Sequence, residues 1–135
     1  MTTQTLIETD YATLRYYPES GIVHSEFHKY VYGLQFRNFI TAGLTVFQQN
    51  RLNKWLSDDR KTSTLPQADL DWAKEHWFVP MINSGWKYWG IVLPEKLVAR
   101  QPILRAIEDF TKYGLQVAIF EDPTEALAWL ESVDR

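Results

Sequence analysis

An α/β fold built on a mixed sheet is predicted by three features of the chain. Runs rich in β-branched and aromatic residues alternate with amphipathic helical stretches, a hairpin signal stands near the N-terminus, and an apolar run near the C-terminus leads into a sharply marked helix start. Strands joined through helices imply parallel neighbours, whereas a hairpin adds an antiparallel pair. The predicted order is β-β-α-β-α-β-α-β-α, a five-stranded sheet with about four helices.

Residues 1–11 carry no periodic apolar pattern and are expected to be a flexible lead-in to one domain over residues 12–135. Thr13 to Tyr17 reads as a strand, stopped by Pro18-Glu19-Ser20-Gly21, whose Pro and Gly suit a tight turn. Ile22 to about Tyr30 is its hairpin partner. In the next segment Phe36, Phe39, Ile40, Gly43, Leu44 and Phe47 share one helical face. Leu52 to Ser57 is a short strand. Pro66 fits the first turn of a helix to about Asn83, with Leu70, Ala73, Trp77 and Met81 as its stripe and Pro80 expected to kink or end it.

Lys87 to Leu93 is a further strand. Ile103, Leu104, Ile107 and Phe110 mark a helix that Gly114 terminates. Leu115 to Phe120 is apolar on both faces, which predicts a central strand covered by helices. Asp122 as N-cap, Pro123 at the first position and Glu125 three residues after the cap open the last helix, with Ala126, Leu127, Leu130 and Trp129 toward the core.

The 135 residues carry 14 Lys and Arg against 17 Asp and Glu, a net charge of −3, with the bases scattered. That distribution gives no footprint for a nucleic-acid backbone. Without cysteine, the chain has no disulfides, thiolate metal sites or cysteine nucleophile. No run approaches the roughly 20 apolar residues of a membrane span, and no secretory signal is present, so a cytoplasmic location is expected. Six Trp within 15% aromatic content predict a bulky core or an aromatic-lined pocket.

The stretch Trp55-Leu56-Ser57-Asp58-Asp59-Arg60-Lys61-Thr62-Ser63-Thr64 brings two acids, two bases and three hydroxyls to the carboxyl end of a strand, the end at which open α/β sheets bind ligands. Adjacent strand residues point to opposite faces, so Asp58 and Asp59 do not converge as an acid–base pair, and an Asp58–Arg60 contact that pins the loop is favoured. Asp58, Asp59, Arg60, Trp72 and Trp77 are the candidate partner or ligand contacts. Thr62 and Ser63 could accept a phosphoryl group, although with Thr64 they serve more simply as caps for the following helix. His24, Glu26 and His28 share a strand face and have metal-ligand chemistry. Alternate positions stand about 7 Å apart, too far for a compact shell, and a solvated edge-strand face is favoured there. No phosphate loop, nucleophile elbow or spaced His-Glu-His helix motif is present, and no enzymatic activity is expected.

The hairpin, the aromatic-rich helix, the strand ending in Asp58-Asp59-Arg60, the segment Trp72-Ala73-Lys74-Glu75-His76-Trp77-Phe78-Val79-Pro80 and the ending Ala126-Leu127-Ala128-Trp129-Leu130 together resemble the SpoIIAA-like (STAS/CRAL-TRIO-related) superfamily of small bacterial proteins, over residues 14–132. The resemblance implies a mixed sheet with helices mainly on one side and no common cofactor. It also implies a regulatory module that acts by binding a protein or by self-association. Anti-sigma-factor antagonists of that group are switched by phosphorylation of a Ser in an Asp-Ser-(Ser/Thr/Ala)-Gly motif. Here the turn has neither an Asp-Ser pair nor a Gly, so that switch is not carried over. Other relatives bind lipids or other apolar ligands, which makes a small-molecule or lipid carrier with an aromatic-lined pocket the alternative expectation.

Overall fold

The computed structural model describes residues 3–134. Its sheet has six strands that neighbour one another in chain order: β1 (Gln4–Glu8), β2 (Ala12–Tyr17), β3 (Ile22–Phe27), β4 (Lys54–Asp58), β5 (Tyr88–Val92) and β6 (Gln116–Phe120). The first three are antiparallel and β3 to β6 run parallel. The expected hairpin is β2–β3, paired from Ala12↔Phe27 to Tyr17↔Ile22, and Gly21 closes its turn with φ +70°.

Two expectations are corrected. The sheet has six strands instead of five, because residues 4–8 of the supposed lead-in pair with β2, with a bulge between Thr5 and Ile7. Only Ile7 of that strand is half-buried, so it leaves no alternating apolar pattern in the sequence. Its register comes instead from the turn, where the Thr9 hydroxyl accepts from the amides of Tyr11 (3.2 Å) and Ala12 (2.9 Å). The second correction concerns β6, which is an edge strand with Ile119 exposed, and not a central one. Apolar residues on both faces report a helix on each side of a strand, not a strand on each side.

Helix α1 (Gly33–Gln49) buries the predicted face, Phe36, Phe39, Ile40, Gly43, Leu44 and Phe47. Gly43 is required by a close approach, since a Cβ there would collide with the Trp55 ring. The second crossover begins with α2 (Gln67–Ala73), passes through a wide π turn (Lys74–Phe78) and ends as α3 (Val79–Asn83). In that turn the Val79 amide reaches back five residues to the Lys74 carbonyl. Pro80, which has no N–H to offer the preceding turn, follows directly, so the helix widens before the proline and runs on to Asn83 without ending there. Ala73, Trp77 and Met81 are buried along it, while Leu70 is half-buried. Helix α4 (Arg100–Thr111) follows a short 3₁₀ turn (Leu97–Ala99), and Gly114 beyond it has φ +95°.

The three crossovers cover one face of the sheet, sharing a core with Leu14, Val23, Trp55, Trp89 and Ile91. Helix α5 (Pro123–Ser132) lies on the other face, where Ala126 and Leu130 pack on Ile22, Leu56, Tyr88 and Val92. Its start is capped as expected, the Asp122 carboxylate accepting from the Thr124 amide at 2.8 Å. No helix among the described residues is long and apolar enough to cross a membrane.

Candidate functional site

Between the crossover helices and the carboxyl ends of β3, β4 and β5 lies a cavity of about 540 Å³, within the range of small-molecule sites. Strand alternation decides what reaches it. Ser25 and Phe27 of β3, Trp55 and Ser57 of β4, and Trp89 of β5 face the helices and line the cavity, as does Asp59, one residue beyond β4. Phe36 and Ile40 of α1, Trp77 and Phe78 of the π turn, and Ile103 and Phe110 of α4 complete a mainly apolar wall.

The floor is polar. The Trp55 indole Nε1 donates to Ser25 Oγ at 3.2 Å and Trp89 Nε1 donates to Ser57 Oγ at 2.9 Å. Each buried indole N–H thereby finds an acceptor in the adjacent strand. Ser25 Oγ has a long contact of 3.5 Å to the Leu56 carbonyl. Ser57 Oγ has no acceptor among the described residues, so its proton is available to the cavity.

Asp59 is held by its backbone. Its amide donates to the Val92 carbonyl at 2.9 Å and its carbonyl accepts from the Thr62 amide and hydroxyl at 3.1 and 2.9 Å. Among the described residues its carboxylate has neither a hydrogen bond nor an ion pair. The residue is half-buried and lines the cavity. Burial, with repulsion from Asp58 added, pushes this carboxyl up from 3.8 to about 7.

Asp58 points to the opposite face, buried, where Arg60 grips it bidentately through Nε (2.9 Å) and Nη2 (2.8 Å). The loop-pinning contact is therefore present and the two acids do not converge. Trp77 lines the cavity and donates to the Ile40 carbonyl at 3.1 Å. Trp72 is half-buried outside it, edge-on to Phe36, with the Arg37 guanidinium 5.4 Å above its ring. Thr62 and Ser63 are half-buried in the wall, but they do not cap α2: Pro66 occupies the N-cap position, one residue earlier than expected, with no side-chain cap.

His24, Glu26 and His28 lie on the face away from the cavity, and not on an edge strand, since β3 is flanked by β2 and β4. Each is engaged: His24 Nδ1 with the Tyr17 hydroxyl (3.0 Å), Glu26 with Arg15 (2.7 Å) and His28 Nε2 with Thr13 (2.7 Å). His24 is buried with Nε2 unpartnered, and burial, reinforced by Arg15, lowers its pKa to about 4. Among the described residues no group of three or more His, Cys, Asp or Glu side chains is placed to hold a metal ion.

Sequence reasoning missed Ser25 and the pairing of Ser25 and Ser57 with the Trp55 and Trp89 indoles. Their signal was the alternation Trp55-x-Ser57, which puts a donor and an acceptor on one face. It also missed Asp69, a buried carboxylate that accepts from the Gly33 amide (2.7 Å) and Arg37 Nε (2.9 Å), tying α2 to the start of α1. Comparison of the chain with protein-family models, with curated proteins and with solved structures returned no match.

Proposed function

We propose that this protein binds a small, largely apolar molecule in the cavity under its crossover helices, with the polar end of that molecule at Ser57 and Asp59. The observation that carries this reading is an Asp59 carboxylate and a Ser57 proton without partners among the described residues, in an aromatic-walled cavity. Asp59 is half-buried with no such partner for its carboxylate, and a ligand in the cavity would supply one. Binding without turnover fits the site best, because among the described residues neither serine has an imidazole or a carboxylate as hydrogen-bond partner. The SpoIIAA-like resemblance belongs to the same proposal, supported by a hairpin followed by three βαβ units.

The test is calorimetric titration with 4-phenylbutanol, a neutral probe of suitable shape. Saturable binding is expected, weakened at least tenfold by Ala106→Phe, which projects a ring from α4 into the cavity. Absence of saturation, or indifference to Ala106→Phe, would sink the reading.

A second reading, self-association or contact with a protein, is favoured by the exposed Tyr32, Leu34, Leu97 and Val98, neighbours in the chain of cavity-lining segments. Sedimentation of the wild type and of a Leu97→Asp, Val98→Asp double variant examines it. A wild-type dimer that the double variant dissolves would support contact between copies, and a monomer in both would remove self-association.

A further inference from the structure

Binding of an apolar molecule leaves open which head group the floor selects, and the inference that follows rests on that binding reading. The charged side chains lining the cavity are Asp59, Asp71, Lys74, Arg105 and Asp109, three acids against two bases. None of the five forms an ion pair with another of them within 4.0 Å. The other acids and the two bases lie on the helices, whereas Asp59 stands at the end of β4 beside the serine floor. Arg60, the base next to it in sequence, is committed to Asp58 on the other side of the sheet.

The hydrogen-bonding inventory has the same bias. Asp59 offers both carboxylate oxygens as acceptors, and the two serine oxygens retain lone-pair capacity beyond the indole bonds. The buried indole N–H groups of Trp55, Trp77 and Trp89 are already donating inside the protein, which leaves the Ser57 hydroxyl as the floor's free donor. A floor rich in acceptors and poor in donors suits a ligand group with several N–H bonds and a positive charge. Indole and phenyl rings around it favour a cation again, through attraction to their faces. A carboxylate head group, as in a fatty acid, would meet the unpaired Asp59 carboxylate at that floor.

We propose that the molecule held in this cavity carries a protonated amine, whose N–H groups are accepted by the Asp59 carboxylate while its apolar remainder lies along Trp77, Phe78 and Ile103. Ion pairing supplies the counter-charge that Asp59 lacks.

Three probes of one shape test this at pH 8 by calorimetry: 4-phenylbutylamine, 4-phenylbutanol and 4-phenylbutanoate. The amine is expected to bind at least tenfold more tightly than the alcohol, and the carboxylate at least tenfold more weakly. In Asp59→Asn the amine and the alcohol should bind within about threefold of each other, with folding checked by circular dichroism. The wild-type ranking tests the proposal even if that variant fails to fold. Equal binding of amine and alcohol, or preference for the carboxylate, would overturn the amine assignment and leave the binding reading intact. No saturable binding by any of the three would overturn both.

Discussion

The two faces of the central strands treat their polar side chains in opposite ways. On the face turned from the crossover helices, Arg15 meets Glu26, His28 meets Thr13, Tyr17 meets His24 and Arg60 meets Asp58, each at 3.0 Å or less. On the face beneath those helices, Ser57 and Asp59 keep a proton and a carboxylate without an internal partner. The more conspicuous cluster in the sequence, with two histidines and a glutamate, is thus a structural network in which each side chain has a partner although His24 Nε2 stays unpaired. The less conspicuous one is the candidate site, because its unpartnered groups face a cavity.

If that contrast is right, removing a polar group should have opposite effects on the two faces. The largest effect is expected at Asp59. Its folded pKa of about 7 lies above the ordinary 3.8, so the folded state holds a proton that the unfolded chain releases. The resulting penalty is absent below about pH 4, grows as pH rises and is complete above about pH 8. Asp59→Asn should therefore stabilise the protein by up to about 4 kcal/mol at pH 8 and by nothing measurable near pH 4, read from urea midpoints. A destabilised variant at pH 8 would show that the carboxylate has an internal role after all.

Arg60→Ala should act in the other direction. It leaves the buried Asp58 without its bidentate partner, and a loss of about 3 kcal/mol is expected at pH 7, toward the low end for buried pairs because Arg60 itself is partly solvated. A change near zero would mean that water replaces the guanidinium, and the paired face would then be less closed than its geometry implies.

The smallest effect of the three belongs to His24, whose folded pKa of about 4 lies below the ordinary 6.5. Here the unfolded chain binds the proton first, so stability is full above about pH 7 and declines as pH falls through 6.5 toward 4. Between pH 7 and pH 4 the wild type should lose about 2 to 3 kcal/mol relative to His24→Phe. Parallel pH profiles for the two proteins would show that the imidazole is not held neutral by burial.

Much of the fold could be read from the residues. The α1 face, the Pro18–Gly21 turn, Gly114 after α4 and the Asp122 cap each rest on local chemistry, and local chemistry is what a sequence displays. Strand β1 could not be read, because its stability comes from pairing with β2 and from the Thr9 hydroxyl, not from an apolar alternation of its own. The edge position of β6 is a property of the whole sheet and leaves no mark on Leu115 to Phe120. At the site, the acid-and-base turn pointed to the right end of β4, and period-two geometry separated Asp58 from Asp59. An aromatic-lined pocket was one of two expectations from the six Trp, but the composition of its floor was not legible. The cavity depends on three helices standing off one sheet face, and on indoles whose partners, Ser25 and Ser57, lie 30 and 32 residues away in the chain.

The wide turn at Lys74–Phe78 leaves the phase of the helix intact. It amounts to one extra residue lodged in a helix and absorbed within a single widened turn, so the segments before and after keep a common rotational phase. Excising a single position inside that turn should restore ordinary winding and leave Met81 on the core, whereas the same excision in α1 would swing everything beyond it by about 100°.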